Sequence, residues 1–375
     1  MANRSSLHLS RAFLCCIVVL IATLVLFYFD VDGVFSLMDL SAEVRPVGFA
    51  TSAPRSVSLR IHDESLRYIP HNSVRTWMKR DYLIVLGIPS EDITPRQRRR
   101  YLQRTTCWQF PGVATRSNNF TGSMLVLYVL ARHPSQGYNY STALEKEGDE
   151  YHDVITLPMN EGRYATNKTI SGDGFWGSEA EIGMSRKTYF WFEFALRFFP
   201  HVNYIAKSDD DMFLRVPQYL VDLRTLPRRG LYWGPLGKWR VGNHFYFIVG
   251  FFMTLARDVV EKVVSNEELQ HVVRLPYSKE RESEFLSLDM GHEDVMVGRA
   301  LYKSQYPHLL FATEKKCRFH NVRCGSHKRH ISKSSVVVHH ITEEEYTILM
   351  NRFWNDTTPS PKSYKRKKKS LEMNC

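Results

Sequence analysis

The sequence predicts an α/β sandwich with a mostly parallel sheet, held as one body behind an N-terminal membrane anchor. Three observations lead there. From residue 82 onward, short apolar runs alternate with amphipathic stretches, the pattern of strands and helices layered on a common sheet. Residues 12–29, AFLCCIVVLIATLVLFYF, carry no charge. The apolar run Tyr204-Ile205-Ala206 leads straight into Asp209-Asp210-Asp211. A chain of 375 residues with 43% hydrophobic and 13% aromatic content is ordinary for a globular protein, which excludes a mainly disordered one.

As a helix the uncharged run spans about 27 Å at ~1.5 Å per residue, enough for a bilayer core. Arg4 and Arg11 precede it and Asp30, Asp32 and Asp39 follow. The positive-inside rule therefore predicts a cytosolic tail at 1–11, an anchor at 12–29 and a lumenal remainder. A cleaved signal peptide is the competing reading, but the run is longer than a usual signal core and no small-x-small site directly follows. Residues 30–76 lack periodicity and read as a stem, with the body at 77–358. Four sequons, at Asn119, Asn139, Asn167 and Asn355, are then available for glycosylation.

Beyond the anchor lie Cys107, Cys317, Cys324 and Cys375. In an oxidising compartment Cys317 with Cys324 is the first pairing expected, and buried thiols are the alternative. The formal charge is +11, but five cations sit in Lys365-Arg366-Lys367-Lys368-Lys369. Residues 359–375 are therefore expected to be a disordered basic tail that touches anionic glycans or phosphates, and behind an anchor no nucleic acid is in reach.

Within the body, Tyr82–Gly87 is the first strand, and Thr94-Pro95 opens a basic helix to about Cys107. Strands follow at Met124–Leu130 and Val154–Leu157, then a helix from Met184 to Phe199 stopped by Pro200. The strand Val202–Ala206 delivers the Asp triplet at its carboxyl end, where open α/β sheets bind ligands. Adjacent carboxylates repel one another and call for a cation. Such a cluster can hold Mn²⁺ or Mg²⁺ while leaving positions open for a diphosphate, although an acidic turn or helix cap has the same composition. A second acidic element, Glu293-Asp294, opens an apolar helical stretch, where dipole compensation is the plainer reading. A third, Val336-Val337-Val338-His339-His340, ends a strand in two imidazoles that could complete a metal site.

Together these elements resemble the inverting β1,3-glycosyltransferase family of β1,3-galactosyl- and β1,3-N-acetylglucosaminyltransferases, and especially its trypanosomatid members, over roughly residues 81–354. Arg99-Arg100-Tyr-Leu-Gln-Arg104-Thr-Thr-Cys-Trp108 is similar to the family's basic helix ending in Arg-x-x-Trp, with one extra residue. Glu147-Gly-Asp-Glu-Tyr151-His-Asp153 resembles its Glu-x-x-x-Tyr-x-Asp segment, Lys187-Thr188 its Lys-Thr, Asp209-Asp210-Asp211 its Asp-x-Asp and Glu293-Asp294-Val295-x-x-Gly298 its Glu-Asp-Val-x-x-Gly. Val338-His339 followed by Thr342-Glu343 resembles a late Val-His motif. The resemblance implies a GT-A type nucleotide-sugar-binding sandwich in a single-pass type II Golgi membrane protein. The implied reaction is Mn²⁺- or Mg²⁺-dependent transfer from a UDP-sugar to a hydroxyl of an acceptor glycan on glycoprotein or glycolipid.

UDP-N-acetylglucosamine is the first donor expected and UDP-galactose the second; the rival from another class is an inactive, membrane-anchored lectin-like protein. By the same resemblance Asp211 is the principal metal ligand with His339 the second, Asp209 and Asp210 face the ribose and the outer shell of the metal, Asp294 is the general base and Glu293 steadies the loop or the acceptor. Arg99, Arg100, Arg104 and Lys187 are candidates for phosphate contact or for structural charge pairing. Trp233 and Trp239 could stack on sugars or fill the core. One departure is noted: Ile248 or Val249 replaces the first Gly of the family's Tyr-x-x-Gly-x-Gly-Tyr, where a β-branched side chain is expected to crowd a ligand.

Overall fold

A computed structural model describes residues 63–172, 174–242 and 244–375. The tail 1–11, the anchor 12–29 and most of the stem lie outside the described residues, among which no helix is long and apolar enough to cross a membrane. In chain order the elements are α1 (His71–Lys79), β1 (Ile84–Pro89), α2 (Thr94–Thr105), β2 (Val113–Ala114), β3 (Met124–Arg132), α3 (Thr142–Tyr151), β4 (Val154–Asn160) and α4 (Ser178–Phe198). Then come β5 (Tyr204–Ser208), β6 (Met212–Leu214), α5 (Val216–Leu223), β7 (Leu231–Trp239), β8 (Phe245–Ile248), β9 (Phe252–Ala256), α6 (Arg257–Val264) and α7 (Glu267–Arg274). The last are α8 (Glu282–Ser287), α9 (Glu293–Ser304), β10 (Leu310–Glu314), β11 (Phe319–Asn321), β12 (Val337–His339), α10 (Glu343–Phe353), β13 (Tyr364–Lys367) and β14 (Ser370–Met373).

The strands form a mixed 11-stranded sheet, ordered β13-β14-β10-β7-β9-β5-β1-β3-β2 with β4 beside β3 and β8 beside β7, and a small sheet β11-β12-β6. The central strands are parallel: β5 with β1 and β1 with β3. Ile84, Val85 and Leu86 are fully buried, as continuous apolar runs covered on both faces should be. Helix α4 begins at Ser178 rather than Met184. Its first turn carries Glu179 and Glu181, which suit a helix N-terminus but hide it from apolar periodicity.

Two sequence expectations are corrected. The folded body starts before residue 77, because Asp63 caps a short turn at Glu64–Leu66 and α1 buries Val74 and Trp77. The tail 359–375 is not disordered: β14 joins β10 in parallel and β13 folds back on β14. Leu371 and Met373 are buried, an alternation masked in the sequence by the neighbouring cations. Cys317 pairs with Cys375, not with Cys324, so the disulfide clips this hairpin to the body.

Candidate active site

The Asp triplet is the junction between the two sheets, linking β5 of the large sheet to β6 of the small one. Asp209 and Asp211 share His339, whose Nε2 lies 3.4 Å from Asp209 Oδ2, whereas Asp210 meets other partners. Asp209 Oδ1 accepts from Lys207 Nζ at 2.6 Å. Asp210 accepts from Ser90 Oγ at 2.8 Å and from Arg96. Asp211 Oδ1 lies 2.9 Å from His339 Nε2. In the small sheet β12 runs between β6 and β11, pairing His339 with Met212 on one side and with Asn321 on the other. The register therefore sets His339 beside the triplet, and its Nδ1–H donates to Asn321 Oδ1 at 2.9 Å. That bond turns Nε2 toward Asp211, the usual support for a metal-ligating imidazole.

Successive residues on a strand point to opposite faces, yet the His339 and His340 rings lie 3.9 Å apart. The cause is the left-handed backbone of His340, φ 60°, an uncommon conformation outside glycine. It swings the second imidazole back so that Asp211, His339 and His340 place their ligand atoms within 4.8 Å of one another. One carboxylate oxygen and two imidazoles suit a divalent ion such as Mn²⁺. Burial would lower the pKa of His339, but Asp211 and Asp209 outweigh it and raise the group to about 9. Burial, followed by the His339 charge, lowers His340 to about 4. The same contacts act in reverse on Asp211: burial works to raise it, and the His339 charge holds it well below the usual carboxylate range.

The opposite wall is the start of α9. Gly298 lets this helix press on β8, since a Cβ there would sit 2.4 Å from Phe247 Cβ. Glu293 Oε1 accepts from Lys207 Nζ at 2.8 Å, and Gly250 O accepts from the same ammonium at 2.9 Å. Lys207 is fully buried, and its three donors all find acceptors. One cation thus ties the triplet to the α9 carboxylates. Asp294 is half-buried beside this joint, accepting from Gly250 N–H at 2.9 Å and from Val295 N–H at 2.8 Å. Burial and then the neighbouring Glu293 raise its pKa to about 7, near the optimum for a base working at neutral pH. Gly250 is required by space, because a Cβ there would fall 2.0 Å from Glu293 Oε1.

A cleft of about 160 Å³ is lined by Asp209, Asp210, Asp211, Glu293, His339 and His340. Beside Trp176 and Lys168 it adjoins a hollow of about 450 Å³. Asp294 lies one residue beyond the lining. Lys168, which sequence reasoning missed, faces both spaces with its Nζ 4.7 Å from the Trp176 ring centroid. It makes no ion pair among the described residues and is the cleft's available cation. Nothing in the sequence distinguishes it from other loop lysines.

The basic candidates of the sequence fall mostly elsewhere. Arg100 is buried and donates twice to Glu147, both at 2.7 Å, while Arg104 bonds Glu147 at 2.8 Å and Asp153 at 2.7 and 2.9 Å. The segments Arg100–Trp108 and Glu147–Asp153 are thus the two halves of one internal ion network. Lys187 is corrected as a donor-binding residue: it is fully buried, bonded to Glu161 and to Ser90 O. Arg99 borders the cleft but donates to Ile341 O at 3.1 Å and to Ser171 Oγ at 2.6 Å, bracing the turn after His340. Asp210 likewise anchors Arg96 and Ser90 and faces away from the two imidazoles. Ile248 does not crowd the cleft; it is buried against Gly234, where a Cβ would come 2.4 Å from Ile248 Cγ2. Trp233 is core, stacked on Tyr219 at 5.0 Å and bonded to Glu314. Trp239 lies near the surface, 5.6 Å from His292, next to Glu293.

No family model matches the sequence, and no curated protein is similar to it at a significant level. Among solved structures, the fold is similar to mouse xyloside xylosyltransferase 1 in its apo form, with TM-score 0.36, 9% identity, 69% of this chain and 97% of that one covered. It is also similar to a glycosyltransferase involved in the glycosylation of the major capsid of PBCV-1, with TM-score 0.30, 10% identity and 72% and 99% covered. The functional reading that follows is built on the residues of the site.

Proposed function

We propose that this protein is a metal-dependent, inverting glycosyltransferase of GT-A type that moves a sugar from a UDP-sugar to an acceptor hydroxyl. UDP-N-acetylglucosamine is the donor we favour and UDP-galactose the alternative. One observation carries the reading: the strand-end carboxylates with their imidazoles and Glu293 of α9 face one cleft, joined through Lys207, with Asp294 directly behind Glu293. Asp211 and His339, with His340, would hold Mn²⁺. When bound, that ion supplies Lewis-acid stabilisation of the charge that develops on the leaving diphosphate. Lys168 is positioned to add a second positive contact to the diphosphate. Asp209, fixed by Lys207, faces the donor. Asp294 takes the proton of the acceptor hydroxyl as attack proceeds, and Glu293, fixed by the same ammonium, steadies the start of α9. Trp239 beside His292 offers the acceptor sugar a flat apolar face.

The charge pattern around residues 12–29 supports a type II Golgi protein with its body lumenal, and the exposure of Asn119, Asn139, Asn167 and Asn355 agrees with sequon use. The test is UDP release from a panel of UDP-sugars by the full-length protein in detergent, with Mn²⁺ or EDTA and with mixed glycan acceptors. We expect release with UDP-N-acetylglucosamine and Mn²⁺ and none in EDTA. Silence with every UDP-sugar, or full activity in EDTA, overturns the proposal.

A further inference from the structure

Helix α4 has a second polar face. Ala180, Glu181 and Met184 line the cleft just described, whereas Glu179, Gly183 and Arg186 line a separate cavity of about 300 Å³ behind it, shared with Arg132, Asn160 and Arg274. Three guanidinium groups therefore border one small space.

Two of them are already neutralised. Arg132 pairs with Glu64 and Arg274 with Glu193. Of the cavity's carboxylates, Glu161 is bound to Lys187, while Glu179 makes no ion pair among the described residues and faces the cavity beside Arg186. Arg186 differs from the other two arginines. It is only 7% exposed, its one hydrogen bond among the described residues runs from Nε to Val273 O at 2.8 Å, and it has no ion pair. Burying a cation without an anion is costly. The shift of the group agrees: burial pulls it down to about 10, outweighing the opposite pull of the Glu161 carboxylate on the same cavity. Its terminal nitrogens remain as unused donors in a fork that matches the oxygens of a phosphate or sulfate.

We propose that this cavity is an anion site, in which Arg186, with Arg274 and Arg132 at its rim, receives a tetrahedral oxyanion, either free phosphate or sulfate or the same group carried on a sugar. The site is separate from the catalytic cleft and does not depend on the glycosyltransferase reading.

The experiment is a thermal-shift titration of the full-length protein in detergent with sodium phosphate, sodium sulfate and mannose 6-phosphate, against sodium chloride at matched ionic strength. We expect a saturable rise in Tm with the oxyanions, unchanged by saturating UDP and Mn²⁺, and reduced at least about tenfold in apparent affinity by Arg186→Met. Because Arg186 is buried, that variant could fail to fold. Arg274→Gln, at a side chain 49% exposed, provides the second variant and should weaken the same response by a smaller factor. A clear advantage of mannose 6-phosphate over inorganic phosphate identifies a sugar-borne group as the ligand, and equal responses identify the free ion. The proposal fails if the rise is absent, if UDP and Mn²⁺ abolish it, or if both variants respond like the wild type.

Discussion

A base whose proton affinity is set by burial and by one neighbouring carboxylate should show its titration in the rate. Asp294 must be ionised to accept the acceptor proton, and with its pKa raised to about 7 it is protonated on the acid side. Activity should therefore be lost as pH falls through 7 and recover above it. For a single group at about 7 the ionised fraction is about one tenth at pH 6 and about nine tenths at pH 8. In initial-rate measurements with UDP-sugar and Mn²⁺ saturating, kcat/KM for the acceptor should rise about tenfold across that interval. Asp294→Asn keeps the shape and one of the two bonds accepted from Gly250 and Val295 N–H, its amide nitrogen being unable to accept the other, and it has no useful basicity. It should lose about 10² to 10⁴ in kcat, roughly 3 to 5 kcal/mol of barrier, and flatten the limb. Glu293→Gln removes the carboxylate that helps push Asp294 up, so its limb should move to lower pH. An ascending limb below pH 5, or one unchanged in Asp294→Asn, would refute this assignment and turn attention to Glu293.

Three further outcomes follow from the packing. Gly250→Ala places a methyl 2.0 Å from Glu293 Oε1; kcat should fall by at least about tenfold through misplacement of the base, while calorimetric affinity for UDP with Mn²⁺ stays within a few-fold. Arg100→Met removes two of the hydrogen bonds to buried Glu147 and leaves it Arg104 as its cation; it should cost about 1 to 3 kcal/mol in urea unfolding with an unchanged donor KM, whereas a raised KM at full stability would restore a phosphate role. Cys375→Ser opens a loop with a separation of 58 residues, worth about 4 kcal/mol on the chain-entropy estimate, and should lower Tm to the value the wild type shows in dithiothreitol.

The large sheet and the place of the triplet were legible because both signals are local: an apolar run buried on two faces, then an abrupt change to charge at its carboxyl end. His339 was legible for the same reason. His340 was named with it, but how it joins the site was not legible, since strand alternation points it away and only its left-handed backbone brings it back. The fate of a basic residue depends on what the fold sets opposite it. Arg100 and Lys187 read equally as phosphate contacts or as structural charge pairs until Glu147 and Glu161 arrive from elsewhere in the chain. Lys207, lying between the expected strand Val202–Ala206 and the triplet, drew no role from the sequence, although its ammonium is the link between the two walls. The disulfide followed the same logic, its partner being fixed by the addition of β14 to the sheet and not by proximity in sequence.

That shared ammonium has a consequence for the order of events. Asp209 and Glu293 draw on one buried charge, so neither wall can change its electrostatic state alone. A ligand that engages Asp209 alters how much of the Lys207 charge falls to Glu293, and through Glu293 the proton affinity of Asp294. On the proposed reading, occupancy of the donor side and the proton affinity of Asp294 would be coupled across the cleft through Lys207 and Glu293, and such coupling would favour a compulsory sequence of binding over a random one.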